Sequence, residues 1–174
     1  MEYHKVGGYE IVKILQECLK PGGLLCLLDL DYLSLTHYEL PAGMNDMLHK
    51  IMDRLENKFN VDVYAGRKLY SYLFDLGFEQ INASLVVHHL FYGDNIRDED
   101  IFNWIKKLEV TSKWMDDLFE TYPGGYEAFY DDFRQFLLNP RRFTYTPLII
   151  CKGRKREYRR QNNPSECVRY RLIS

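Results

Sequence analysis

Seven residues limit what this chain can fold into. Leu24-Leu25-Cys26-Leu27-Leu28-Asp29-Leu30 comes directly after Pro21-Gly22-Gly23. Five successive apolar residues leave no polar face for water, and the run is too short for an independent helix. It reads as a strand covered on both faces, as in a sheet with helices above and below. A helix precedes it. Over 9–20, Ile11, Ile14, Leu15 and Cys18 recur at i, i+3, i+4 and i+7, which predicts one buried face. Pro21 stops that helix, and the glycines permit the positive φ of a chain reversal.

The same periodicities organise the rest of the chain. Residues 32–43 read as a loop containing Pro41 and Gly43. A helix over 44–59 places Met44, Met47, Leu48, Ile51, Met52, Leu55 and Phe59 on one side, and another over 67–76 ends at Gly77. Residues 79–92 alternate as a strand, with Ile81, Ala83, Leu85, Val87, His89 and Phe91 on a common face. Two helices, 99–121 and 125–138, are split at Pro123-Gly124-Gly125. A last apolar strand over 148–152 comes after Pro147, a position that proline tolerates. Residues 153–174 show no periodicity and are expected to form a mobile tail.

Charge divides the chain. Residues 152–174 hold eight Lys/Arg against two Glu, a net +6, whereas residues 1–151 hold fifteen against twenty-three, a net −8. An acidic body excludes a generally basic nucleic-acid binder. Lys152, Arg154, Lys155, Arg156, Arg159 and Arg160 would give at most weak, salt-dependent phosphate contacts; a solvated tail is the other reading. No apolar run approaches the roughly 18 residues of a membrane span, and the first residues lack the apolar core of a signal peptide. The four cysteines, Cys18, Cys26, Cys151 and Cys167, form no CxxC pair. Buried reduced thiols, and with them a cytoplasmic location, are expected.

Leu19-Lys20-Pro21-Gly22-Gly23 between a helix and an apolar strand ending in Asp29 resembles the segment before the fifth strand of class I S-adenosylmethionine-dependent methyltransferases. Gly66-Arg67-Lys68-Leu69 leading to Leu76-Gly77-Phe78 resembles that family's next helix, and 148–152 resembles its seventh, antiparallel strand. The resemblance covers about residues 8–153. It implies an α/β fold: a partial Rossmann-like sheet of strands five to seven, with the seventh between the other two. Residues 1–152 would form this partial domain, with a helical insertion over about 97–139. It implies methyl transfer from S-adenosylmethionine in the parent family. The family's Gly-rich turn and its acidic ribose partner have no counterpart in this sequence, so no cofactor-binding residue carries over. The chain alone is therefore expected to be inactive and to bind the cofactor weakly or not at all. A non-enzymatic binding or assembly module built on half of that fold is the alternative.

Asp29 and Asp31, two residues apart at the strand's carboxyl end, would share a face where open α/β sheets hold ligands. They would orient a substrate or act as a base, or else simply mark the strand's solvated end. The resemblance puts the next loop, with Tyr32, His37 and Tyr38, beside the substrate pocket. His37 would serve as a general base or stand solvated. His88 and His89, adjacent on a strand, should point to opposite faces and cannot together chelate a metal. The aromatic stripe of 126–137, with Trp104 and Trp114, would line a pocket or fill a core. The expected partners are an unidentified small-molecule substrate and, through the edge of 24–30, a second copy or another chain.

Overall fold

The computed structural model describes residues 4–32 and 36–157. These residues form a mixed α/β structure of six helices and a four-stranded sheet. In chain order the elements are α1 (Gly8–Cys18), β1 (Leu24–Leu30), β2 (His37–Tyr38), α2 (Ala42–Lys58) and α3 (Ala65–Asp75). Next come β3 (Glu79–Tyr92), α4 (Asp98–Ser112), α5 (Asp116–Phe119), α6 (Gly125–Leu138) and β4 (Phe143–Arg154).

The last strand organises the sheet. β4 pairs antiparallel with β1 and β2 along one edge and with β3 along the other. β1 and β3 are both antiparallel to β4 and so run parallel to each other on either side of it. The chain from β1 to β2 stays on one edge: Leu30 faces Leu148, the Asp31 amide donates to the Pro147 carbonyl, and His37 faces Thr144. The residues expected to be a loop thus include a short strand. β4 is also longer than the predicted 148–152, and Pro147 lies inside it. Pro147 offers no amide proton, and β3 bulges between Val87 and His89 opposite this point.

That bulge re-aims side chains. Before it, Ala83, Leu85 and Val87 face Cys151, Ile149 and Pro147; after it, His89 and Phe91 face Thr146 and Thr144. A one-residue slip carries His89 and Phe91 to the opposite face from the one shared by Ala83, Leu85 and Val87. It also brings the His88 and His89 rings within 4.2 Å, where simple alternation predicts opposite faces.

Helix α3 covers one face. Leu69 and Leu73, both fully buried, pack with Leu27, Cys151, Phe78 and Val12 of α1. Gly66 sets the approach: a Cβ there would lie 2.9 Å from the carbonyl oxygens of Asp29 and Leu30. The larger core is helical. It joins α2, α4, α5 and α6 to Phe91 and contains the 126–137 stripe, in which Phe129, Phe133 and Phe136 stack in sequence. Trp104 belongs to this core, whereas Trp114 is 70% exposed. The predicted helix 99–121 is broken between Ser112 and Asp116.

Much apolar surface stays open. Leu24, Cys26 and Leu28 share a sheet face with Arg154, Lys152 and Ile150, and both leucines are 54% exposed. Among the described residues, no strand pairs with the second edge of β1. Periodicity predicts that α1 buries Ile11, Ile14, Leu15 and Cys18; it buries Gly8 and Val12 instead, and Ile14 is 58% exposed. The reason lies in its neighbours. Tyr9 packs edge-on to Tyr72 of α3, and the Gln16 amide donates to the Leu76 carbonyl, which turns the predicted stripe outward. Cys18 and Cys26 are exposed and only Cys151 is buried, against the expectation of buried thiols; Cys167 lies outside the described residues.

The start of the predicted tail is tied down. Gly153 and Arg154 belong to β4, and Lys155 exchanges backbone hydrogen bonds with Gly22 and Gly23. The Lys155 ammonium donates to the Gln16 and Leu19 carbonyls at the end of α1, and Arg156 pairs with Glu79. Residues 158–174, with Arg159 and Arg160, lie outside the described residues.

Candidate functional site

The carboxyl end of β1 and the helix α3 bring the predicted residues together. Asp29 and Asp31 are both buried, not solvated. Asp29 accepts a hydrogen bond from the Leu30 amide at 2.9 Å. Asp31 receives a forked pair from Arg67, Nε to Oδ1 at 2.9 Å and Nη2 to Oδ2 at 2.8 Å. This planar, two-point contact is the strong form of carboxylate recognition. The hydrogen bond to Asp31 raises the Arg67 pKa, and a bond to Tyr32 raises it further. With both oxygens engaged, Asp31 anchors Arg67.

Arg67 in turn holds Tyr32. Its guanidinium lies 4.4 Å from the centre of the Tyr32 ring and 4.6 Å from that of Tyr64, a cation between two aromatic faces. The two rings meet edge to face at 5.3 Å. Tyr32 is fixed at φ 54°, in the left-handed region that a side chain of this size rarely enters. Glu39, on the far side of β2, has φ 60° and pairs with Arg141 at 2.8 Å. Tyr32 and Glu39 thus each combine a left-handed backbone with an ion pair at or beside them, Arg67–Asp31 and Arg141–Glu39.

Between these points opens a cleft of about 360 Å³ lined by Tyr32, Thr36, His37, Tyr38, Phe143 and Tyr145. Three of the five predicted site residues line it; Asp29 and Asp31 do not. Thr36 reaches across to the Tyr145 carbonyl with its hydroxyl. The His37 Nδ1 lies 2.9 Å from the Thr144 hydroxyl, and its ring meets Trp104, Phe133 and Phe136 edge to face at 5.4–6.0 Å. His37 is therefore not a solvated loop histidine: it fastens the floor of the cleft to the helical core. Phe143 and Tyr145 come from β4, and residue alternation alone could not bring them to Tyr38. Sequence reading misses them because Pro147 reads as the entry to the strand, although Phe143-Thr144-Tyr145-Thr146 carries the strand-favouring alternation that would reveal them as strand residues.

Beside the cleft, His89 approaches the Thr146 hydroxyl at 3.3 Å and stands 5.8 Å from Trp104. Burial lowers its pKa, and the neighbouring His88 and Lys107 lower it further. Among the described residues no group of three His, Cys, Asp or Glu side chains is arranged to hold a metal ion, and no helix is long and apolar enough to cross a membrane. Neither a protein-family model nor a curated protein matches the chain.

Proposed function

We propose that this chain is the substrate-side, C-terminal part of an S-adenosylmethionine-dependent methyltransferase, inactive by itself. The observation that carries the reading is the sheet order. β4 runs antiparallel between β1 and β3, the arrangement that the resemblance implies for strands seven, five and six. The bare edge of β1 and the exposed Leu24, Cys26 and Leu28 are where such a fold would continue. Helices α4 to α6 stand between β3 and β4, as a substrate-side insertion would.

The described residues do not fit the cofactor. Gly22-Gly23 comes after a helix and leads into a strand, the reverse of a cradle that opens from a strand onto a helix N-terminus. Cofactor contacts would come from a partner half, and no chemical step is assigned to residues of this chain. Its contribution to methyl transfer would be alignment of the acceptor, the larger part of such catalysis.

The test is calorimetric titration with S-adenosylmethionine. The 174 residues alone should show no micromolar binding, whereas a complex with a co-expressed methyltransferase N-terminal half should bind. Micromolar binding to the isolated chain, or no binding to the assembled pair, would overturn the reading. A stable complex that binds no cofactor would favour an assembly module.

A further inference from the structure

We infer that the cleft between β2 and β4 binds a planar, uncharged aromatic ring, and that this ring system belongs to the methyl acceptor; the second clause rests on the methyltransferase reading, the first does not. Four of the six described lining residues are aromatic: Tyr32, Tyr38, Phe143 and Tyr145. All four are between 41% and 64% exposed, a costly way to place large rings unless they meet something. Their positions are enforced. Arg67, anchored on Asp31, clamps Tyr32; the β4 ladder sets Phe143 and Tyr145; and β2 pairs Tyr38 with Phe143. Tyr32, which lines the cleft, and Glu39, next to the lining Tyr38, are both left-handed, backbone strain that a chain with no use for this geometry could relax.

Size and charge select the ligand. A volume of about 360 Å³ is at the lower end for small-molecule sites, and cavities of about 150 Å³ accept benzene, so one fused ring system fits. Four rings could also suggest a cage for an ammonium ion. The walls argue against it. No described lining residue is acidic, and the carboxylates of Asp31 and Glu39, each adjoining a lining residue in sequence, are already paired with Arg67 and Arg141. The Arg67–Asp31 pair beside Tyr32 is neutral overall and offers no net negative charge to hold a cation. A neutral ring stacks on tyrosine and phenylalanine without such a charge.

The experiment uses the full chain and four probes: indole, 2-naphthol, cyclohexanol as a saturated control, and tetramethylammonium. Binding is read by saturation-transfer NMR and titration. Indole and 2-naphthol should bind, with cyclohexanol and tetramethylammonium at least about tenfold weaker. Phe143→Ala and Tyr145→Ala should each weaken ring binding about three- to tenfold. Tyr70→Ala and Phe74→Ala, which remove an exposed stacked pair on α3 outside the cleft, should leave it unchanged. Thermal melts of each variant confirm folding, and Tyr145→Leu, which keeps bulk but not the ring, replaces any variant that fails. Equal binding of cyclohexanol, preference for tetramethylammonium, no ring binding at millimolar concentration, or indifference to the cleft variants would each overturn the inference. Ring binding with no cofactor binding by the assembled pair would leave the cleft standing and remove the methyltransferase reading; the converse would remove this inference and leave that reading.

Discussion

Replacing Gly66 with alanine tests how closely α3 is seated on β1. The new Cβ would lie 2.9 Å from two carbonyl oxygens, those of Asp29 and Leu30, and 3.2 Å from the Leu30 carbonyl carbon. These atoms are backbone and cannot rotate away. Ordinary contact needs about 0.5 Å more, so either α3 lifts or β1 bends. Lifting α3 loosens Leu69 and Leu73, both fully buried beneath it. Overpacking of this kind costs roughly 1–3 kcal/mol. Alanine recovers up to about 1 kcal/mol of helix propensity, less in the first turn, where Gly66 sits. The net expectation is a loss of about 1–2 kcal/mol. For a chain of this length that lowers the melting temperature by about 2–8 °C. Gly43→Ala is the control. Its Cβ would meet only Tyr122, at 3.9 Å, so the same exchange in α2 should be neutral or stabilising by about 0.5–1 kcal/mol. Urea unfolding at one low protein concentration measures both. If Gly66→Ala were as stable as the parent, the close seating of α3 on β1 would be wrong, and with it the placement of Arg67.

Three further outcomes concern the site and its surroundings. Arg67→Lys should lose the forked contact to Asp31 and the stack on Tyr32, costing about 1 kcal/mol because the guanidinium is 44% exposed, and should weaken ring binding; unfolding and probe titration check it. The lowered His89 pKa means that the unfolded chain binds its proton first as pH falls. The stability that this gives is complete above about pH 6.5 and declines as pH falls from there through the folded-state pKa; His89→Gln should flatten that part of a stability–pH curve. Burial and the Asp132 hydrogen bond push the Tyr122 hydroxyl up to about 12, so ultraviolet titration should show a late phase, to which Tyr72 and Tyr126, also raised by burial, contribute, and Asp132→Asn should remove part of it.

The elements legible in the sequence are those whose cause is local. Strand 24–30 is bounded by its own Pro-Gly-Gly, and helix 125–138 by Pro123-Gly124-Gly125 and its aromatic spacing; the structure gives both the same limits. The features that sequence hides depend on partners. The α4–α5 break is silent because Trp104, Leu108, Ser112, Met115 and Phe119 keep helical spacing across it. The bulge at 87–89 answers Pro147, some sixty residues away. Helix α1 carries a correctly periodic apolar stripe that its neighbours among the described residues do not cover. In the site, Asp29, Asp31, Tyr32, His37 and Tyr38 could be picked out by their position after β1. Phe143, Tyr145 and Arg67 could not, because their meeting with Tyr32 and Tyr38 is made by sheet register and helix packing.

The central claim is that the bare edge of β1, with Leu24, Cys26 and Leu28 beside it, is an interface awaiting the rest of a fold. Unpaired strand edges recruit other chains unless blunted, and the charge in β1, Asp29, lies near its end and leaves Leu24 to Leu28 without one. Light scattering after size exclusion, over a range of concentrations, tests this directly. The expected result is a mass above the 20.8 kDa of one chain that rises with concentration. Leu28→Lys should restore the monomer, and co-expression of a methyltransferase N-terminal half should give a defined complex. A monomer at every concentration, indifferent both to Leu28→Lys and to the other half, would contradict the claim.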